Sequence, residues 1–158
     1  MNSFARDHLP IFQAVQALRI QLMECLTDQD LQYQLPGTNP TLGGLCKEMG
    51  NIQASYIQSL KTHRQDFTFR NETAGLAESV TQLKDWFNAL DNELHTLMTG
   101  FSEEDLGQMI DRGHDFVLPV VAQLHVYKEA TLLFYGRASV YLKALGKSPS
   151  EQWELWVG

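Results

Sequence analysis

The side chains that could do chemistry are scattered along this chain rather than gathered in one motif. Its five histidines do not pair at helical spacing, since no two of them lie three or four residues apart: they are His8, His63, His95, His114 and His125. The sequence also has no nucleophile elbow, no phosphate-binding glycine loop and no HExxH motif. No known catalytic constellation can therefore be read from the residues alone.

Charge and cysteine content exclude several classes of protein. The formal net charge is −7 at pH 7, whereas nucleic-acid-binding proteins concentrate lysine and arginine, so we expect no nucleic-acid partner. Cys25 and Cys46 have no CxxC spacing and are predicted to be small buried or half-buried thiols. Residues 1–7 contain no apolar signal segment, and no apolar run reaches membrane-spanning length. We expect a cytoplasmic protein without a membrane partner.

Helical periodicity dominates the chain, and four helices are predicted. The first has an apolar stripe from Ile11 to Leu26, with Pro10 in its first turn. The second runs from Leu42 to Leu60 with Thr41 as its N-cap, and the third from Leu76 to Leu97, ending near Gly100. The fourth begins near Val117 or Pro119 and ends at Leu145. The whole chain, residues 1–158, is therefore predicted to be one all-α domain, a four-helix bundle.

Shorter features accompany the helices. Residues 27–31 and 102–106 are each predicted to form a short capped turn, and residues 111–115 a loop. Trp153, Leu155 and Trp156 form an aromatic tail that we expect to cap the open end of the bundle. The fourth helix is apolar over most of its circumference, including Leu133 and Val140, and this is typical of a central helix or of an oligomer interface. A homodimer formed through this face is predicted.

A polar strip borders the apolar face of the second helix. It begins at Glu48 and continues through Asn51 and Ser55. One interpretation is a small pocket in which this strip faces side chains of the fourth helix, namely Tyr127, Ala130, Phe134 and Tyr141. The other interpretation is a hydrogen-bonded seam between two helices.

Two segments resemble a known family. Residues 41–48, TLGGLCKE, resemble the opening of the second helix of DinB-like (DinB/YfiT-type) four-helix bundles, and residues 134–146 resemble their closing segment. Pro149 and Trp153 also fall where that family often has a proline and a tryptophan. The resemblance implies a four-helix bundle and an activity assisted by a divalent metal, of the thiol-dependent transferase or hydrolase type.

The chain departs from that family at the positions that matter for metal binding. The resemblance implies three metal-binding histidines, and these positions hold Glu48, Ala130 and Phe134 here. Only the carboxylate of Glu48 can coordinate a metal, and catalytic zinc sites use about three protein ligands. We therefore expect no metal cofactor. The alternative is a rebuilt zinc, nickel or iron site formed by Glu48, His125 and Glu129.

Two functions remain open on this basis. The first is a bundle that binds an unknown small molecule or a protein partner without catalysis. The second is a divergent metal-dependent enzyme that uses Glu48 and other ligands. The replaced histidine positions favour the first, so no enzymatic activity is assigned.

Overall fold

The computed structural model describes all residues, 1–158, and has five α-helices and one short β-hairpin. The helices are α1 Ser3–Cys25, α2 Leu42–Thr62, α3 Val80–Gly100, α4 Val120–Leu145 and α5 Glu151–Trp156. The antiparallel strands are β1 Met109–Asp111 and β2 Val117–Pro119, and 3₁₀ turns span Asp30–Gln32, Leu76–Glu78 and Asp105–Gly107. The predicted all-α fold class is confirmed.

Side-chain caps fix where the helices begin. The Asn2 side chain accepts a hydrogen bond from the Ala5 amide at 2.7 Å, and the Thr41 hydroxyl accepts one from the Gly44 amide at 3.0 Å. Each bond satisfies one of the amides that a helix N-terminus leaves without an intrahelical partner. The predicted N-cap at Thr41 is therefore confirmed. Gly146, with φ of 68°, ends α4 in the left-handed conformation.

Several predicted boundaries were wrong. The first helix begins at Ser3, so Pro10 lies inside it rather than in its first turn. Phe12 takes the buried position that was assigned to Ile11, which is 37% exposed. The third helix begins at Val80, because Leu76 belongs to a separate 3₁₀ turn. The predicted 111–115 loop connects two paired strands, and the aromatic tail forms a fifth helix.

The four long helices form a bundle in which α1 and α4 run in one direction and α2 and α3 in the other. The N-terminal halves of α1 and α4 meet the C-terminal halves of α2 and α3 in one apolar cluster. The opposite ends of the same helices form a second cluster, which α5 joins. Each of α1 and α2 packs against both α3 and α4, and α2 is the most enclosed helix. None of the helices is long and apolar enough to cross a membrane.

Close packing explains two glycines of α2. A methyl group at Gly43 would lie 1.8 Å from the Ala77 carbonyl oxygen, and one at Gly50 would lie 2.2 Å from the Trp86 ring. The absence of a side chain at Gly43 therefore lets the backbone before α3 approach α2. Cys46 is buried and Cys25 is half-buried, also as predicted, and burial raises the pKa of Cys46 to about 12.

The C-terminal helix closes one end of the bundle with a single tryptophan. Trp153 is buried, with its ring centroid 5.4 Å from that of Tyr135 on α4. Leu155 and Trp156 instead remain 77% and 46% exposed, so the expectation that all three side chains cap the bundle was wrong for these two.

Candidate functional site

A charged layer crosses the middle of the bundle between its two apolar clusters. Arg19 of α1 is only 2% exposed, and its guanidinium donates a hydrogen bond of 2.6 Å to the Gln53 side chain of α2. It also forms an ion pair with Asp91 of α3, and it lies 4.1 Å from the ring centroid of Phe87. Gln53 completes the triangle by donating to Asp91 at 2.8 Å. Three helices therefore contribute to one polar network.

The electrostatics of this network favour its charged form. Burial acts to lower the pKa of Arg19, but the Asp91 carboxylate and the Tyr135 and Tyr127 hydroxyls act in the opposite direction, and the pKa is raised overall. The guanidinium is therefore a permanent charge inside the bundle, where desolvation of an unpaired ion is costly. Asp91 provides the compensating charge.

The two carboxylate oxygens of Asp91 differ in their hydrogen bonds. Its Oδ1 atom accepts hydrogen bonds from Arg19, from Gln53 and, at 3.1 Å, from Gln16. No donor of the chain bonds to Oδ2, and the side chain is 15% exposed. An ionised carboxylate can accept about four hydrogen bonds, so Asp91 retains the capacity to bind a further donor.

The charged layer opens into a cleft between α1 and α3. The cleft has a volume of about 240 Å³, with Ile20, Met23 and Phe87 as its apolar residues. Its polar lining consists of Arg19, Glu24, Lys84, Asn88 and Asp91. A shallower hollow shares Ile20, Asn88 and Asp91 with it, so the groove continues toward Gln13 and Gln16. We call the 240 Å³ space the α1–α3 cleft.

The residues of the α1–α3 cleft were missed by sequence reasoning. Arg19 directly follows Leu18 of the apolar stripe, and Asp91 directly follows the buried Leu90. A charge beside a core position is common at helix surfaces, so neither residue stands out from the local pattern. The available signal was the four-residue spacing from Val15 to Arg19, which places the arginine on the inner side of α1.

Three of the sequence-predicted pocket residues meet at the surface where α2 faces α4. The Glu48 carboxylate lies 3.7 Å from the Arg137 guanidinium, and that guanidinium lies 5.2 Å from the ring centroid of Phe134. Tyr141 donates a hydrogen bond of 2.7 Å to the Pro40 carbonyl oxygen, and burial, acting against the nearby Arg137, raises its pKa. Glu48 and Phe134 are thus brought together around a cation supplied by the chain itself.

The other four predicted pocket residues lie inward. The Asn51 side chain accepts a hydrogen bond from the Asn71 amide at 2.8 Å, and the buried Ser55 hydroxyl has no partner. Tyr127 is buried, which raises its pKa to about 12, and the half-buried Ala130 packs against one apolar cluster. Asn51 therefore bonds to the loop before α3 rather than to a second helix. A ligand pocket spanning all seven residues stays a prediction.

The residues of the alternative metal site are not brought together. His125 packs against the rings of Phe4 and His8, with centroid distances of 5.3 and 5.0 Å. Burial, Lys128 and His8 lower the pKa of His125, although Glu129 acts to raise it. Glu48 instead contacts Arg137, which lies about 18 Å further along α4. The structure contains no group of three or more His, Cys, Asp or Glu side chains placed to hold a metal ion.

This arrangement of helices is also found among solved structures. One of them is the crystal structure of a DinB-like protein, YjoA of Bacillus subtilis, with a TM-score of 0.67 and 17% sequence identity over 84% of this chain and 88% of that chain. This chain has a DinB-like fold. The resemblance predicted from the two segments is confirmed at the level of the fold. No protein-family model matches the sequence, and no curated protein matches it.

Glu48, Phe134 and Arg137, which we call the Glu48 cluster, occupy the region where the resemblance implies a metal site. The resemblance assigns metal-binding histidines to the positions of Glu48, Ala130 and Phe134, and the structure places the Arg137 guanidinium between the first and the third. Of these three side chains, only the carboxylate of Glu48 can coordinate a metal. The donor set, with a cation beside it, does not fit the three-ligand site that the resemblance implies.

Proposed function

We propose that this DinB-like bundle is a binding protein for a small zwitterionic molecule, held in the α1–α3 cleft without a metal. The proposal places the ligand at the charged layer rather than at the Glu48 cluster. A shallow surface pair such as Glu48 and Arg137, each 49% exposed, offers little enclosure to a ligand. The cytoplasmic location stays a prediction.

The observation that supports it is the buried Arg19–Asp91 pair at the base of the cleft. Replacing a buried ion pair by apolar residues is often neutral or stabilising, so stability alone is a weak reason for keeping one. Here the pair also lines a concave surface, and one carboxylate oxygen of Asp91 has no partner in the chain. Such an oxygen can bind a ligand. The charged layer therefore fits a ligand-recognition role better than a purely structural one.

The lining of the cleft defines the class of ligand. Lys84 and Glu24 lie in the cleft and form no ion pair within the chain. Asp91 and Glu24 suit an ammonium group, Lys84 suits a carboxylate, and Met23 and Phe87 suit a short apolar segment between the two. At ~30 Å³ for each water molecule, the cleft holds the equivalent of about eight waters, which is the size of an amino acid or an ω-amino carboxylate.

Calorimetry with matched probes tests this proposal. We expect 4-aminobutyrate or a neutral α-amino acid to bind and to raise the Tm, while butylamine and butyrate, which each lack one charge, bind at least about tenfold more weakly. The variants Lys84→Met and Glu24→Gln should each weaken binding of the zwitterion by a similar factor.

Lys47→Met is the matched control, because Lys47 is a half-buried lysine of α2 that lies outside the cleft. It should bind the zwitterion as the parent protein does. Failure of every zwitterion in the series to bind would refute the proposal. So would binding that is unchanged in the Lys84→Met/Glu24→Gln double variant.

A further inference from the structure

The outward face of α4 carries the most exposed aliphatic side chains of the long helices. Leu133 is 72% exposed and Val140 is 54% exposed, although α4 is otherwise packed into the bundle. Residues four apart lie on nearly the same side of a helix, and Leu133 marks the centre of this side. We call the side of α4 from Ala122 to Ala144 the α4 face.

Charges of opposite sign flank Leu133 at equal distances. Glu129 lies four residues before it and Arg137 four residues after it, about 6 Å away in each direction. Glu129 is exposed and has no ion pair within the chain. Arg137 has the Phe134 ring centroid at 5.2 Å, and its one ion-pair partner is the Glu48 carboxylate at 3.7 Å; a half-exposed pair of this kind contributes little. Both charges are available to a partner.

The same symmetry continues outward from the charges. Val126 and Val140 are each seven residues from Leu133, and Ala122 and Ala144 are each eleven residues from it. Val126 and Ala122 are half-buried, whereas Val140 and Ala144 are exposed. In both directions the α4 face therefore presents a charge, then a valine, then an alanine that allows close approach.

We propose that α4 pairs with α4 of a second copy of this chain, antiparallel and with a two-fold axis at Leu133. In a two-fold interface each contact between two different residues occurs twice, because each subunit contributes both of those residues. Leu133 then meets its own symmetry mate, and Glu129 meets Arg137 of the partner subunit on both sides of the axis. Each valine opposes a valine, and each alanine opposes an alanine.

A second copy fits this face better than an unrelated partner does. An antiparallel pair centred on Leu133 neutralises both exposed charges and covers both exposed aliphatic side chains with one symmetry operation. The end of the chain lies beside another side of α4, where the buried Ser139, about 120° around the helix from Leu133, donates a hydrogen bond of 3.0 Å to the Gly158 carbonyl oxygen.

Sedimentation or light scattering of purified protein tests the pairing. The parent chain, of 18.0 kDa, should have twice that mass at micromolar concentration. Leu133→Lys should raise the dissociation constant at least about a hundredfold, because it places two ammonium groups on the axis. Glu129→Arg and Arg137→Glu should each weaken association at least about tenfold, and the double variant should restore it to within about threefold.

Two controls separate the proposed interface from general effects. Ile11→Lys adds a charge at an exposed aliphatic residue of α1 and should leave the mass unchanged. Glu48→Gln removes the intrachain partner of Arg137 and should leave association unchanged or strengthen it. Circular dichroism verifies that each variant is folded.

Three results would overturn the pairing. A parent protein that is monomeric at about 100 µM would do so, because the proposed pair predicts a dimer at micromolar concentration. A dimer that Leu133→Lys leaves intact would mean that another surface is used. A charge-swapped double variant no better than the single variants would refute the antiparallel register. None of these results bears on ligand binding in the α1–α3 cleft.

Discussion

At the scale of single residues, Arg19 places a positive charge inside the bundle. It lies between two apolar clusters and binds Gln53 and Asp91, which belong to two other helices. Its charge cannot be neutralised by loss of a proton, since the pKa of an arginine lies far above neutrality. The stability of the bundle therefore depends on the Asp91 carboxylate beside Arg19.

Removing the charge of Asp91 should destabilise the fold. Asp91→Asn keeps the shape of the side chain but leaves the guanidinium of Arg19 buried without a counter-charge, and we expect a loss of about 3 kcal/mol in the free energy of unfolding. Urea unfolding followed by circular dichroism measures it.

The matched control for Asp91→Asn replaces the whole network by apolar residues of similar size. The triple variant Arg19→Met/Gln53→Leu/Asp91→Leu removes the buried charges and the Gln53 amide together. Only the amide of the half-buried Gln16 loses its partner, and water can replace that bond, so the variant should unfold within about 1.5 kcal/mol of the parent protein. A loss below about 0.5 kcal/mol in Asp91→Asn would show that water or rearrangement compensates the arginine. That outcome would contradict the buried-charge account.

At the scale of elements, two 3₁₀ turns repeat the same local design. Asp30 accepts hydrogen bonds from the Thr27 amide and hydroxyl at 2.7 and 2.8 Å, and Asp105 accepts the same pair from Ser102, both at 2.8 Å. Each turn directly follows a long helix and directs the next residues back along the bundle. Asp30 also accepts a bond of 2.6 Å from Lys147, which ties the first turn to the end of α4.

The carboxylates of Asp30 and Asp105 should make the free energy of unfolding depend on pH in the acidic range. Burial acts to raise the pKa of Asp30, but the bonds from Lys147 and Thr27 outweigh it, and the pKa of Asp30 is lowered. The amide and hydroxyl of Ser102 likewise lower the pKa of Asp105. Both pKa values are therefore lower in the folded state than in the unfolded state. The two carboxylates contribute fully to the free energy of unfolding at pH values above their unfolded pKa, near 3.9, and this contribution is lost as the pH falls through their folded pKa values.

We therefore expect Asp30→Asn to reduce stability at pH 6 and to flatten the decline of stability below about pH 4. Asp105→Asn should do the same on a smaller scale, since no lysine binds Asp105. Urea unfolding at a series of pH values measures both effects. Asp85→Asn, at an exposed aspartate of α3 that forms no ion pair, is the control. An acid slope identical in Asp30→Asn and the parent protein would contradict this account.

At the scale of the whole molecule, the chain contains the same sequence of elements twice. A long helix, a 3₁₀ turn, a short extended pairing and a second long helix occur in residues 3–62 and again in residues 80–145. The extended pairing is the single bridge of Gln34 with Thr41 in the first half and the β1–β2 hairpin in the second. Packing the two halves together gives the DinB-like bundle, with the charged layer where they meet.

The resemblance to DinB-like bundles implies a bound metal, and we expect this chain to lack one. We expect purified protein to hold well under one zinc, nickel or iron ion per chain by elemental analysis, because Arg137 lies beside Glu48 and the neighbouring positions offer no donor. Stoichiometric metal that is lost in Glu48→Ala would contradict this expectation. Glu72→Ala, at an exposed glutamate of a loop, is the control for that loss.

Local features of the sequence determined the elements. The spacing of apolar residues along the chain, the hydroxyl of Thr41 and the glycine at 146 were enough to predict the long helices and several of their ends. These features act over a few residues, so they can be read without the rest of the chain. The prediction made from them was wrong at Ile11 and Phe12, because a shift of one residue decides which side chain faces the core.

Only the tertiary structure decided which polar side chains meet. Arg19 and Asp91 are 72 positions apart, and Glu48 and Arg137 belong to α2 and α4. Whether two such residues touch depends on the rotation of each helix about its axis, and that rotation is set by core packing summed over the whole bundle. The sequence therefore determined that the chain is helical, and the resemblance assigns Glu48, Ala130 and Phe134 to the positions where it implies histidines. The packed bundle decided that a buried charge pair opens into a cleft.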